Sequence, residues 1–495
     1  MSAVAADAPR WRLSHGGVVR GGRAPGVTFL RGVPFAVAPE GPRRLALPIA
    51  HPGWAGEREC SRAGPAAPQW PRGGQAVVGA LDCLHLDVWM PDADAPAAGW
   101  PVLVWVHGGG FLRGSASEPL YAGATFARAG IVVVLLQYRL GMDGFMDFPG
   151  VPPNRGLHDI VAGLQWVQRE VSGLGGDPAR VTLAGQSAGA GAAACVASLP
   201  QAQRLFAQLL LQSPSVTAHT PEDAQRAREA VAALLAVPAT AAALLAEPVG
   251  RVVQAVQQLA ADPALRRARG LGPRHFFPLR PVIDGAVLCD TPVRALQRAW
   301  ATGGAPRAVL VGANAEEMRL YHVTDGGLGM IADDEVRDFV RGMGLPVDPT
   351  CSTWAPTPGE AGERLSQLQS DAYYRAPARS LARAASASGA AAYLYEFTWR
   401  SPQCGGLLGA AHGVELPFVF GTQHTDMGRQ LVGDAPPVSL ATDMQAAWSR
   451  FVTMGDPAWP AYADVAPQVQ RFDVPSAVVR LPRHDPRLAA WDALI

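Results

Sequence analysis

The sequence contains no lysine: all 42 of its basic side chains are arginine. Beside so much alanine, glycine and proline, this bias reflects a GC-rich coding sequence and carries no chemistry. An excess of either charge is missing too. The 42 acidic side chains balance the arginines, for a formal net charge of zero, so neither a nucleic-acid nor a membrane partner is expected. No apolar stretch of about 18 residues escapes interruption by a charge, glycine or proline, which excludes a transmembrane helix from the expectation. Residues 1–10 lack a basic head and a long apolar core, so they do not read as a secretory leader, and a cytoplasmic protein is expected. Cys60, Cys83, Cys195, Cys289, Cys351 and Cys404 lie far apart, with no Cys-x-x-Cys pair and no metal-ligand spacing. They read as buried or incidental free thiols, with no metal or cofactor expected. Linkers rich in serine or glutamine are also absent, so the 495 residues read as one domain, 1–495.

What is present is enough apolar material for a large core: 48% of the residues are hydrophobic and 17% charged. Residues 11–37 hold short alternating runs broken by glycine and read as short antiparallel strands. Residues 49–80 read as irregular. Residues 84–90 alternate as a strand. Residues 101–107, 131–136 and 308–312 are continuous apolar runs, the pattern of strands buried on both faces. Residues 156–172 carry helical spacing between two such strands, which makes a βαβ unit with a parallel sheet. Further strands are expected at 209–212 and 391–397, a helical insertion at about 216–300, and a helix at 443–451.

The segment 181–191 is a short apolar run ending in Gly185-Gln186-Ser187-Ala188-Gly189, then small residues. It reads as strand, sharp turn and helix with Ser187 at the tip. The glycines are required because the backbone is crowded on both sides of the serine. A neutral serine is a poor nucleophile. It needs a base to take its proton, and that base needs a carboxylate. Among the 11 histidines, His412 is the best base, in a loop of small residues after a strand. His51, His85 and His158 precede the serine. His219, His275, His322 and His424 lack the strand-then-loop setting. For the acid, Glu316 and Glu317 both follow the 308–312 strand, and the residues alone do not choose between them. After the 101–107 strand come His107-Gly108-Gly109-Gly110-Phe111, whose glycines let backbone N–H groups face one point. His107 reads as shaping that loop.

These motifs, taken in order, resemble the type B carboxylesterases. The resemblance spans most of the chain, through Arg31-Gly-Val-Pro-Phe-Ala36, Asp82-Cys-Leu-His-Leu-Asp-Val88, the glycine loop, Tyr138-Arg-Leu-Gly141, Gly185-Gln-Ser-Ala-Gly189 and His412-Gly-Val-Glu-Leu-Pro417. It implies an α/β-hydrolase fold: a large, mixed, mostly parallel sheet flanked by helices, with a small N-terminal antiparallel sheet and helical cap insertions. It implies a hydrolase of carboxylic esters acting on a small-molecule ester, with Ser187 as nucleophile, Glu317 as acid and His412 as base. It implies oxyanion donors at the backbone of Gly109, Gly110 and Ala188, with Gln186, His107 and Glu415 in support. The same triad would serve amides, carbamates or bulky natural-product esters. A catalytically inactive binding protein of this fold is the alternative from another class, and all three triad members are present.

Some positions depart from the family pattern. Gln186 stands where glutamate is usual, which removes a charge beside the serine. Leu81 replaces a glutamate that would pair with an arginine near Arg44. Cys60 is out of place for the usual disulfide with Cys83. Met318 replaces a glycine after the acid. Trp70 is the nearest residue to the tryptophan that grips choline in cholinesterases. The pocket walls are expected from 68–80, 111–121, 270–280 and 318–330.

Overall fold

The computed structural model describes residues 8–273, 276–324, 326–345 and 360–482, with Asp485, Leu488 and Trp491; His275 and Cys351 lie outside the described residues. Its first seven strands are β1 Arg10–Arg12, β2 Val18–Arg20, β3 Gly22–Ala24, β4 Val27–Pro34, β5 Glu57–Glu59, β6 His85–Pro91 and β7 Trp100–Val106. The rest are β8 Val132–Leu136, β9 Gly176–Gln186, β10 Gln208–Gln212, β11 Ala308–Asn314, β12 Ala391–Phe397, β13 Gln468–Phe472 and β14 Ala477–Arg480.

Eleven of these form one sheet in the order β14-β13-β12-β11-β10-β9-β7-β8-β6-β4-β3. From β13 to β8 every neighbour is parallel. The two edges, β14 on one side and β6, β4 and β3 on the other, run antiparallel to their neighbours. The central runs are apolar throughout because both faces are covered. Val102, Val104 and Val106 of β7 enter one core with the helices Arg155–Glu170, Ala188–Ser198, Pro292–Ala301 and Ala376–Ala387. Leu103 and Trp105 enter the other core, under the helices Ala124–Arg128, Leu416–Phe420 and Val438–Met454.

The small N-terminal sheet is mixed, not antiparallel. β1 pairs antiparallel with β2, but β5 pairs parallel with β2. β5 lies in the segment 49–80, which reads as irregular in sequence; a long connection allows a parallel return that a tight hairpin cannot make. β4, from the same glycine-broken N-terminal stretch, joins the large sheet instead.

The insertion at 216–300 is helical over Pro221–Leu235, Ala241–Ala246, Val249–Ala261 and Pro263–Ala268. Its first helix is capped by Thr220, whose hydroxyl accepts from Asp223 N, with Pro221 at the first position. The last helix of the stretch, Pro292–Ala301, packs on Ala188–Ser198 and Ala376–Ala387, so it belongs to the scaffold layer.

Candidate active site

β9 ends at Gln186, and Ser187 follows at φ 59° and ψ −125° before the helix Ala188–Ser198 begins. An L-residue rarely adopts such a conformation, so its surroundings must hold it. Ser187 N donates to Gln212 O at 2.9 Å, and Ser187 O accepts from Gly191 N at 2.9 Å and Ser215 N at 3.1 Å. The glycines are forced by space. A Cβ on Gly189 would lie 2.2 Å from Val106 O, and one on Gly185 2.6 Å from the Gly189 carbonyl carbon. The helix N-terminus at Ala188 aims its free N–H groups at the serine.

The loops after β11 and β12 bring Glu317 and His412 to the same end of the sheet. Glu317 is fully buried; its Oε2 lies 2.5 Å from His412 Nδ1, and its Oε1 accepts from Asn314 N at 2.8 Å. His412 N donates to Glu317 O at 3.1 Å, which fixes the backbone of the pair as well. Glu316 turns away. Its carboxylate pairs with Arg319 at 3.0 Å and with Arg400, and accepts from Ala410 N. Of the two acids that the sequence leaves open, Glu317 is the one that meets the imidazole. Met318, in place of the usual glycine, is buried, with its N–H donating to Ser370 Oγ at 3.0 Å.

Among the described residues His412 Nε2 makes no hydrogen bond to Ser187. Its partner is Gln186, whose Nε2 lies 3.1 Å away. Tyr374 and Tyr321 pack on the imidazole with ring centroids 4.7 and 6.0 Å from it. Glu415 is fully buried one turn on, accepting from Asn314 Nδ2 at 2.6 Å and Gln212 Nε2 at 3.3 Å. Burial, then the nearby Glu317 carboxylate, pushes Glu415 up to about 7.

The glycine loop bends through left-handed backbone at Gly109 (φ 117°) and Gly110 (φ 66°). A Cβ on Gly109 would meet Arg113 O at 2.0 Å, and one on Gly110 would meet the Phe277 ring at 2.5 Å. Among the described residues no hydrogen bond engages the N–H of Gly109, Gly110 or Ala188, so these donors remain available to an incoming oxygen. His107 lies beneath the loop, stacked on Tyr138 at 4.6 Å, with Nδ1 2.8 Å from Gly108 O. Burial lowers it to about 4, so it stays neutral and shapes the loop without supplying charge.

The sequence reading missed Gln69. Its Oε1 accepts from Gly114 N at 2.7 Å and its Nε2 donates to Gly114 O at 2.9 Å, clasping the far end of the glycine loop. It also missed one wall. Ser187, Gln186 and His412 line a cavity of about 390 Å³ bounded by Arg72, Glu118, Tyr121, Tyr321 and Leu416 and closed by Met427 and Leu431. The last two belong to the helix Asp426–Val432. The expected walls at 68–80, 111–121 and 318–330 contribute, while none of the described residues of 270–280 lines the cavity and Phe277 packs against Gly110 instead. Glu118, on the cavity wall, is pushed up to about 7 by burial. Trp70 lines a separate small cavity beside Arg44 and Met142. Arg44, without a glutamate at Leu81, pairs with Asp143 at 2.6 Å. Cys60 and Cys83 are buried free thiols.

Among the described residues, no group of three or more His, Cys, Asp or Glu is placed to hold a metal ion, and no helix is long and apolar enough to cross a membrane.

Three comparisons with known proteins show what the whole chain is similar to. The model of the carboxylesterase family matches residues 8–340 and 350–483. A phenmedipham hydrolase of Pseudarthrobacter oxydans is 32% identical over 473 residues, covering 90% of this chain and 91% of that protein. A fumonisin B1 esterase of Sphingopyxis macrogoltabida is 32% identical over 469 residues, covering 90% of this chain and 82% of that protein. The crystal structure of a Geobacillus stearothermophilus carboxylesterase at pH 6.2 superposes with a TM-score of 0.83 at 31% identity, covering 97% of this chain and 99% of that one.

Proposed function

The chain belongs to the carboxylesterase family, and we propose that it hydrolyses carboxylic esters through an acyl-enzyme on Ser187, with His412 as base and Glu317 as acid. The observation that carries these roles is the contact of 2.5 Å between Glu317 Oε2 and His412 Nδ1, in a cavity that also holds Ser187.

The chemistry follows from that arrangement. Glu317 accepts a hydrogen bond from the N–H at Nδ1 of His412 and so keeps the lone pair of the neutral ring on Nε2. Ser187 Oγ attacks the ester carbonyl carbon while its proton passes to Nε2. The carbonyl π pair moves to the oxygen, which takes the N–H groups of Gly109, Gly110 and Ala188. Collapse expels the alcohol, protonated by His412. Water then repeats the sequence on the acyl-enzyme. The cavity is lined by Leu120, Tyr121, Leu320, Leu416 and Leu431 at its apolar surface, with Arg72 and Glu118 at its polar wall. This supports uncharged esters of moderate size as substrates.

Hydrolysis of para-nitrophenyl esters by wild type, Ser187→Ala and His412→Gln tests the reading. Turnover retained by Ser187→Ala would sink it. The likeness to a phenmedipham hydrolase makes phenmedipham, alongside other carbamates and anilides, the first compound to try beyond simple esters. The buried free thiols Cys60, Cys83 and Cys195 support a cytoplasmic setting, which subcellular fractionation would test.

A further inference from the structure

The neighbour of Ser187 makes a contact of its own with the base. Gln186 is almost fully buried at the end of β9, paired in register with Gln212 of β10. Its side chain runs against Gly108, where a Cβ would lie 2.6 Å from Gln186 Oε1. The missing side chain at Gly108 is thus the room in which the amide lies. From there Gln186 Nε2 reaches His412 Nε2 at 3.1 Å.

The direction of this bond is fixed by the other side of the ring. Nδ1 faces a carboxylate oxygen of Glu317 and carries the proton of the neutral imidazole. Nε2 is then a bare acceptor, and only the NH₂ end of an amide can serve it. The remaining ionisable neighbours do not reach that nitrogen. Glu317 is at Nδ1, Glu415 is engaged by Asn314 and Gln212, and Tyr321 and Tyr374 lie against the ring, their phenols held uncharged by burial. Among the described residues the Ser187 hydroxyl makes no hydrogen bond to His412.

We infer that Gln186 is a positioning residue that caps the base of the resting enzyme: its amide N–H occupies His412 Nε2 and must turn away before Ser187 can pass its proton to that nitrogen. The inference rests on the triad reading given above. No proton is gained or lost by Gln186. The amide rotates, the Ser187 O–H takes its place at Nε2, and the proton then moves as the Oγ–carbon bond forms. Glutamine suits this role in a way that glutamate does not. Its NH₂ end serves the neutral base, whereas a carboxylate has only acceptors and favours the charged imidazolium.

The test is nitrogen-15 NMR of the full-length enzyme labelled at histidine, with His412 assigned by His412→Gln, together with kinetics. Ser187→Ala is expected to leave the Nε2 resonance of His412 in place, and Gln186→Met to move it. A shift in Ser187→Ala as large as that in Gln186→Met overturns the inference. In kinetics, Gln186→Met is expected to speed labelling of Ser187 by a fluorophosphonate by roughly fivefold, the effect of one neutral hydrogen bond no longer broken. Gln186→Glu is expected to raise the acidic limb of kcat/KM by about one pH unit. Labelling rates and a pH profile unchanged in both variants, or activity lost in both with the limb unmoved, would equally overturn it. Thermal melts identify a variant that fails to fold; the wild-type and Ser187→Ala spectra then decide alone, because a move of Nε2 on loss of the serine hydroxyl refutes the cap and its absence supports it. Failure of the triad reading would show separately, as turnover retained by Ser187→Ala.

Discussion

Glu316 and Glu317 are adjacent in the chain and face opposite chemistry. Glu317 is buried with Oε2 2.5 Å from His412 Nδ1, whereas Glu316 is held by Arg319 and Arg400 at the rim of the same loop. Exchanging each for glutamine separates them. Glu317→Gln is expected to lower kcat for para-nitrophenyl butyrate on the order of a thousandfold or more, because the amide no longer holds the imidazole tautomer. Glu316→Gln should retain kcat within a few-fold and lose about 1 kcal/mol of stability. Comparable losses of kcat in both would refute the assignment.

Glu415 sets a pH dependence of stability. Its carboxyl, ordinarily near 4.5, is pushed up to about 7 in the fold. Between those values the folded state holds more protons than the unfolded chain, so stability is present below about 4.5 and lost as pH rises through 7. The full difference is on the order of 3 kcal/mol. His107 has the opposite sign: lowered from 6.5 to about 4, it favours the folded state increasingly as pH rises to 6.5. The two offset each other up to about 6.5; above it the losses from Glu415 and from Glu118, likewise pushed up to about 7, remain. Melting temperatures of wild type should therefore fall between about pH 6.5 and 7.5 more steeply than those of Glu415→Gln. Parallel curves would count against it.

Gln69 holds the glycine loop from the wall of the cavity. Gln69→Ala leaves the Gly114 N–H and C=O without the partner they have at 2.7 and 2.9 Å. A small displacement of oxyanion donors is costly in rate. The expected result is a fall in kcat of roughly tenfold to a hundredfold with KM changed little. A pure KM effect would mean that Gln69 contacts substrate instead.

The helix Asp426–Val432 forms a wall of the cavity and is expected to limit substrate length. Leu431→Trp adds bulk to the cavity of about 390 Å³. It is expected to cut kcat/KM for para-nitrophenyl octanoate about tenfold or more relative to the acetate ester. An unchanged ratio across chain lengths would place the acyl group elsewhere in the cavity.

The parts of this molecule that could be read from sequence are those that leave a local pattern. The apolar runs of β7, β8 and β11 mark strands buried on both faces, and the glycines around Ser187 and at 108–110 mark backbone with no room for a Cβ. The parts that could not be read are made by distant partners. Gln69 and Gly114 are 45 residues apart, and Gln186 and His412 are 226 apart. Neither contact leaves periodicity or spacing in the chain. The same holds for β5, three residues long, whose pairing with β2 depends on where a long loop returns. Sequence flagged Gln186 by its missing charge, but its partner emerged only when β9 and the loop after β12 were placed side by side.

Ser187 follows β9, Glu317 follows β11 and His412 follows β12, with β10 standing between the first two. All four strands are parallel, so the sheet spaces these groups as a rigid ruler with divisions of about 4.8 Å. Most of what shapes the cavity, by contrast, hangs from the connections. Surface connections of this kind tolerate changes of length without moving the marks on the ruler. Libraries aimed at new substrates should therefore vary Pro71, Arg72, Leu320 and the helix Asp426–Val432, which line the cavity, and leave Gln69 and the strand ends as they are.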